Sequence, residues 1–85
     1  MSKRVTVRYF ASVRELLGKG SETLETVAPT LADLRDELIA RGAPYAEALA
    51  RGKAVRMAID QVMSAETAPL AEGSEIAFFP PVTGG

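Results

Sequence analysis

The 85-residue chain contains no cysteine and no histidine. The first absence excludes disulfides and thiolate metal ligands, and the second excludes imidazole ligands. Together they rule out a histidine-assisted serine or cysteine nucleophile within the chain. No side chain can carry a persulfide. A dominant charge is missing too: ten basic and eleven acidic side chains leave a net charge of −1. Nucleic-acid binders usually show a basic excess, so none is expected as a partner. No apolar run approaches the ~20 residues that cross a bilayer. The basic start MSKR is followed by no apolar stretch of a secretory signal. The expectation is a soluble cytoplasmic protein without a metal site, a membrane or a nucleic-acid partner.

What is present is ordinary in bulk. The chain is 47% hydrophobic and 25% charged, which is the composition of a globular protein. Its length suits one domain with one modest core. Residues 3–11, KRVTVRYFA, alternate, with Val5, Val7 and Tyr9 on one side and Arg4, Thr6, Arg8 and Phe10 on the other. That is a half-buried strand. In the next segment Ser12 and Glu15 have capping-box spacing and Gly18 is a stop, which predicts a short helical turn. Residues 22–28 read as a second strand containing Leu24 and Val27. The clearest helix runs from an N-cap at Thr30, with Asp33 in its first turn, to Gly42. Leu31, Leu34, Leu38 and Ile39 form its apolar stripe. Arg35 falls toward that stripe, so its stem should lie on apolar surface and its head should reach water. Glu37 and Arg41 have the spacing of an i,i+4 ion pair. Residues 44–50 suit another helical turn. Residues 54–60 alternate again, with Val55, Met57 and Ile59 inward. Asp60 and Gln61 then suit a tight turn, since Asp tolerates positive φ. Val62 and Met63 begin a short return strand, and Glu72-Gly73 marks a turn. Residues 74–79 form the last strand, with Ile76 and Phe78 inward. Arg4, Arg8 and Arg56 fall outward on their strands as a mildly basic stripe, and an acidic partner surface would match it.

This order gives an α+β class: a mixed sheet of about five strands packed against one main helix. A ubiquitin-like β-grasp satisfies it. A ferredoxin-like sandwich needs a second full helix, which residues 44–50 supply only weakly. The domain reading is a folded body over residues 1–79 and an extended tail over residues 80–85.

The tail, PPVTGG, has a physical character of its own. Pro80 and Pro81 fix φ near −65° and favour extended geometry. Val82 and Thr83 are β-branched and also favour extension. Gly84 and Gly85 pass where any side chain would collide. Six residues span roughly 20 Å at full stretch. A stiff base with a thin tip suits insertion into a narrow channel of another protein. The distinctive reactive group is then the α-carboxylate of Gly85, ionised at neutral pH with a pKa of about 3.5. It becomes an electrophile only after activation, most simply as an acyl-adenylate made from ATP by a partner. Attack by sulfur would leave a thiocarboxylate, and attack by a lysine amine would leave an amide.

Residues 75–85, EIAFFPPVTGG, resemble the C-terminus of the small, sulfur-carrying subunits of molybdopterin synthase. Residues 9–18, YFASVRELLG, and 70–79, LAEGSEIAFF, resemble other parts of that family, and the likeness spans nearly the whole chain. Where the family often has Asn after its third strand, this chain has Asp60, which suits the same turn. The resemblance implies a carrier that is not catalytic alone and serves as the sulfur-donating subunit of a sulfurtransferase complex. A ubiquitin-activating-type enzyme would adenylate Gly85 at the expense of ATP, and a sulfur donor protein would convert it to a thiocarboxylate. The tail would enter the large synthase subunit, within a heterotetramer. There its sulfur would help convert cyclic pyranopterin monophosphate to the molybdopterin dithiolene. No cofactor would be bound; the sulfur would be covalent at Gly85.

On this reading Phe10, Arg14, Met63, Phe79, Pro80, Pro81, Val82, Thr83 and Gly84 contact the partner. Phe10 and Phe79 are on the outward phase of their strands, and adjacent strands would make them one apolar patch. Met63 matches an apolar contact position in the family, and Arg14 sits in a matching segment. Three other readings stand beside this one: a thiamine-pathway sulfur carrier, a ubiquitin-like modifier joined to lysines through Gly85, and an interaction domain with an inert tail. Thiamine-pathway carriers are typically shorter and lack FFPPV.

Overall fold

The computed structural model describes residues 2–50 and 54–80. β1 (Lys3–Tyr9) buries Val5, Val7 and Tyr9, as its alternation requires. β2 (Ser21–Thr26) pairs with it antiparallel, Val5 opposite Leu24. This strand ends two residues earlier than the sequence suggests, and Val27 is exposed. The Thr26 hydroxyl accepts a hydrogen bond from the Ala28 amide at 2.9 Å. That local bond competes with the ladder and turns the chain inward.

α1 (Ala11–Leu17) is the helical turn between these strands, but the expected capping box is not its start. Phe10 is the N-cap, in an extended conformation, and no side chain caps the helix. Ser12 therefore already lies inside the helix, two residues too late to cap it. Gly18 does end it in the left-handed region, φ 74°, where a side chain would be strained.

α2 (Leu31–Ile39) follows its predicted signals. The Thr30 hydroxyl accepts from the Asp33 amide at 3.3 Å and donates to the Asp33 carboxylate at 2.9 Å. Leu31, Leu34 and Leu38 are buried. Two expectations on this helix fail. Arg35 does not reach water; it is only 4% exposed. Its Nε donates to the Leu49 carbonyl and its Nη2 to the Ala50 carbonyl, both at 2.8 Å, and Glu66 lies 3.5 Å from Nη1. The Glu37–Arg41 pair does not form either. Arg41 lies beyond the end of α2 and meets Glu22 at 3.2 Å, while Glu37 accepts from the Thr26 hydroxyl at 2.6 Å.

α3 (Tyr45–Ala48) is a single turn; β3 (Arg56–Ile59), β4 (Val62–Met63) and β5 (Glu75–Phe79) complete the chain. Asp60 and Gln61, with φ of 50° and 69°, form the tight connection between β3 and β4. The five strands form one mixed sheet in the order β2-β1-β5-β3-β4. β1 and β5 are parallel, and the other pairs are antiparallel. With α2 packed on one face, this is the ubiquitin-like β-grasp. The core joins Val5, Val7, Tyr9, Ile76 and Phe78 of the sheet to Leu31, Leu34 and Leu38 of α2. Each such large side chain contributes about 1.5–3 kcal/mol by burial. The consequence for function is positional: β5, the last strand, lies at the centre of the sheet.

Candidate functional site

β5 carries the chain to Phe79, opposite Arg56 on β3. Half-buried Pro80 follows and has no amide hydrogen to extend the ladder. Pro81, Val82, Thr83, Gly84 and Gly85, the expected working tail, lie outside the described residues. What the fold supplies is the root of that tail. β5 is held on both sides, by β1 and by β3. The Phe10 amide adds a bond to the Phe78 carbonyl at 3.1 Å.

The face of the sheet opposite α2 bears the proposed contact residues. Register sets Thr6 and Arg8 of β1 beside Glu75 and Ala77 of β5. Ala77 faces Ala58 of β3, which faces Met63 of β4. Phe10 continues the outward phase of β1, and the Arg8 guanidinium carbon lies 5.8 Å from the centre of its ring. Phe10, Phe79 and Met63 thus share one face, with Ala77 and Ala58 in the row between. Phe10 is 43% exposed and Met63 59%; Phe79 is half-buried. Arg14 is set apart from them. It is exposed on α1, and its side chain lies against Gly20. The alternation of the last strand puts Ala77 outward with Phe79, but only strand register shows that Ala77 and Ala58 join the aromatics to Met63.

The opposite side of the tail root has a polar buttress that strand and helix periodicity did not reveal. Tyr9 and Tyr45 each donate a hydroxyl hydrogen bond to Glu22 Oε2 at 2.8 Å. Arg41 lies 3.2 Å from Glu22 Oε1, and Lys19 Nζ lies 3.8 Å from Oε2. Lys19 also donates to the Tyr45 oxygen at 3.0 Å. Partial burial opposes ionisation of Glu22. Hydrogen bonds from Tyr45, Tyr9 and Arg41, with the Lys19 charge, outweigh it and hold the carboxyl below its ordinary value. Burial first, then the bond to Glu22, push the Tyr9 phenol far above its ordinary range. The Tyr9 ring stacks on Phe78 with centroids 6.2 Å apart. The cluster therefore steadies the residue just before Phe79.

Among the described residues no group of three or more potential His, Cys, Asp or Glu metal ligands gathers. No helix of the described residues is long and apolar enough to cross a membrane. Fold and site together define a ubiquitin-like β-grasp protein that presents its final strand between two neighbours, with an apolar face at the point of exit.

The chain belongs to the ThiS family, whose model matches residues 7–85. It is 41% identical over 81 residues to the molybdopterin synthase sulfur carrier subunit of Escherichia coli K12, covering 95% of this chain and 99% of that protein. Among solved structures, SAMP1 from Haloferax volcanii superposes with a TM-score of 0.75 at 24% identity, over 96% of this chain and 99% of that one. That likeness speaks to fold alone. The complex of subunits 1 and 2 of molybdopterin-converting factor from Helicobacter pylori 26695 contains a chain matching with a TM-score of 0.62 and 26% identity, over 96% of this chain and 99% of that one.

Proposed function

We propose that this protein is the sulfur carrier subunit of a cytoplasmic molybdopterin synthase. The observation that carries the reading is the 41% identity to such a subunit over nearly the full length of both chains. A β5 held on both sides and ending at Phe79, just before Pro80, supports it, because a carrier needs a fixed root for the terminus it presents. The α-carboxylate of Gly85 attacks the α-phosphorus of ATP on a ubiquitin-activating-type partner, and pyrophosphate leaves. Sulfide-level sulfur supplied by a donor protein attacks the acyl carbon; AMP leaves and a thiocarboxylate results. The charged tail then enters the large subunit. There the sulfur attacks a side-chain carbon of cyclic pyranopterin monophosphate and displaces the oxygen substituent it carries, and water cleaves the acyl–sulfur bond to restore the carboxylate. Two such deliveries supply the two dithiolene sulfurs. Phe79, Phe10 and Met63 form the apolar docking face, Arg14 pairs at its rim, and residues 80–84 contact the walls of the large subunit's channel.

Intact-mass spectrometry of the protein from its own host tests this. The expected species is heavier than the unmodified chain by the mass of sulfur less that of oxygen, with the change confined to Gly85. Conjugates to lysines of other proteins, with no sulfur-bearing form, would replace this reading with that of a protein modifier.

A further inference from the structure

On the outward face of the sheet, two of the three arginines already have acidic partners. Arg4 lies 3.4 Å from Glu25 and Arg8 lies 3.4 Å from Glu75. Arg56, exposed at the head of β3, has no carboxylate within ion-pair reach among the described residues. Its neighbours on that face are apolar: Phe79 directly opposite, Ala58 two residues along its own strand, and Met63 across from Ala58. Arg56 and Met63 also line a hollow of about 340 Å³, with Val55 and Met57 among its other walls. Glu66 lines the same hollow but is engaged by Arg35 at 3.5 Å.

An exposed arginine in water gains little from an ion pair. The same arginine beside Phe79, Ala58 and Met63 is different once a partner covers that face. Water is excluded, the local dielectric falls, and a facing carboxylate is strongly favoured while a facing cation is rejected. Phe79 is also the last residue before Pro80, so anything docked on Arg56 sits at the root of the tail.

We propose that Arg56 is a specificity-determining anchor that receives an aspartate or glutamate of the large synthase subunit, beside the hollow it shares with Met63. This rests on the synthase reading above. The pair fixes the rotation of the carrier about its tail, which the apolar patch by itself leaves free. It makes the affinity for the large subunit depend on ionic strength.

The test is titration of the purified large subunit with the full chain, as wild type, Arg56→Ala, Arg56→Lys and Arg56→Glu, at low and high salt. Arg56→Ala is expected to weaken binding about tenfold and Arg56→Glu about 100-fold or more, with Arg56→Lys between wild type and Arg56→Ala. Wild-type affinity should fall with salt, and Arg56→Ala should have a flatter salt dependence. Because Arg56 is exposed, thermal unfolding of all four should agree. Wild-type affinity in Arg56→Glu overturns the anchor but leaves the synthase reading standing. A wild-type chain that fails to bind the large subunit overturns both. In a parallel titration of the adenylating partner, losses seen there and not with the large subunit overturn the assignment to the large subunit.

Discussion

Glu22 shows how much a single residue can bind together. It joins β2 to Tyr9 of β1, to Tyr45 of α3 and to Arg41 beyond α2. Its carboxyl is held below the ordinary value of 4.5. A group with a depressed folded-state pKa contributes stability that is present above its unfolded value. That contribution is lost as pH falls through the folded value. Glu22→Gln keeps an acceptor but removes the charge, and should cost about 1–2 kcal/mol near neutral pH. The difference from wild type should shrink below pH 4.5. Urea unfolding at neutral and acid pH checks this; an equal loss at both would mean that the charge is immaterial. Arg35 makes the same point from the opposite sign. Its guanidinium is buried because two carbonyls 14 and 15 residues away come to meet it.

At the scale of elements, the two helix starts look alike in sequence and differ in the fold. Thr30 has both of its bonds to Asp33. Ser12 does not cap α1, because extended Phe10 precedes the helix by one residue and takes that position. Thr30→Ala should therefore lower stability by about 1 kcal/mol. Ser12→Ala should change it by less than about 0.5 kcal/mol. Thermal or chemical unfolding of the two variants decides the matter, and similar losses would restore the capping box. The difference arises because a cap motif specifies which bonds are possible, while the backbone angles at the preceding residue decide where the helix begins. Strand ends follow the same logic, since β2 stops where Thr26 bonds locally to Ala28.

At the scale of the whole molecule, the proposed carrier role makes the folded body a handle for its terminus. Removing Gly85, or adding one residue after it, should abolish sulfur transfer in a reconstituted synthase assay. Thermal unfolding should hardly change, since the last few residues of a domain usually add little to its core. A fully active shortened chain would contradict the carrier chemistry. The sequence by itself determined the alternation of β1, the apolar stripe of α2, the Asp60-Gln61 turn and the order of elements, because these depend on side-chain period and local backbone preference. It also excluded thiol and imidazole chemistry outright. Only the tertiary structure decided that β5 lies between β1 and β3, that Phe10, Phe79 and Met63 share a face, and that Arg35 and Arg41 find Glu66 and Glu22. Those outcomes depend on pairing between segments far apart in the chain. Local periodicity gives each strand two faces but cannot say which strand will be its neighbour.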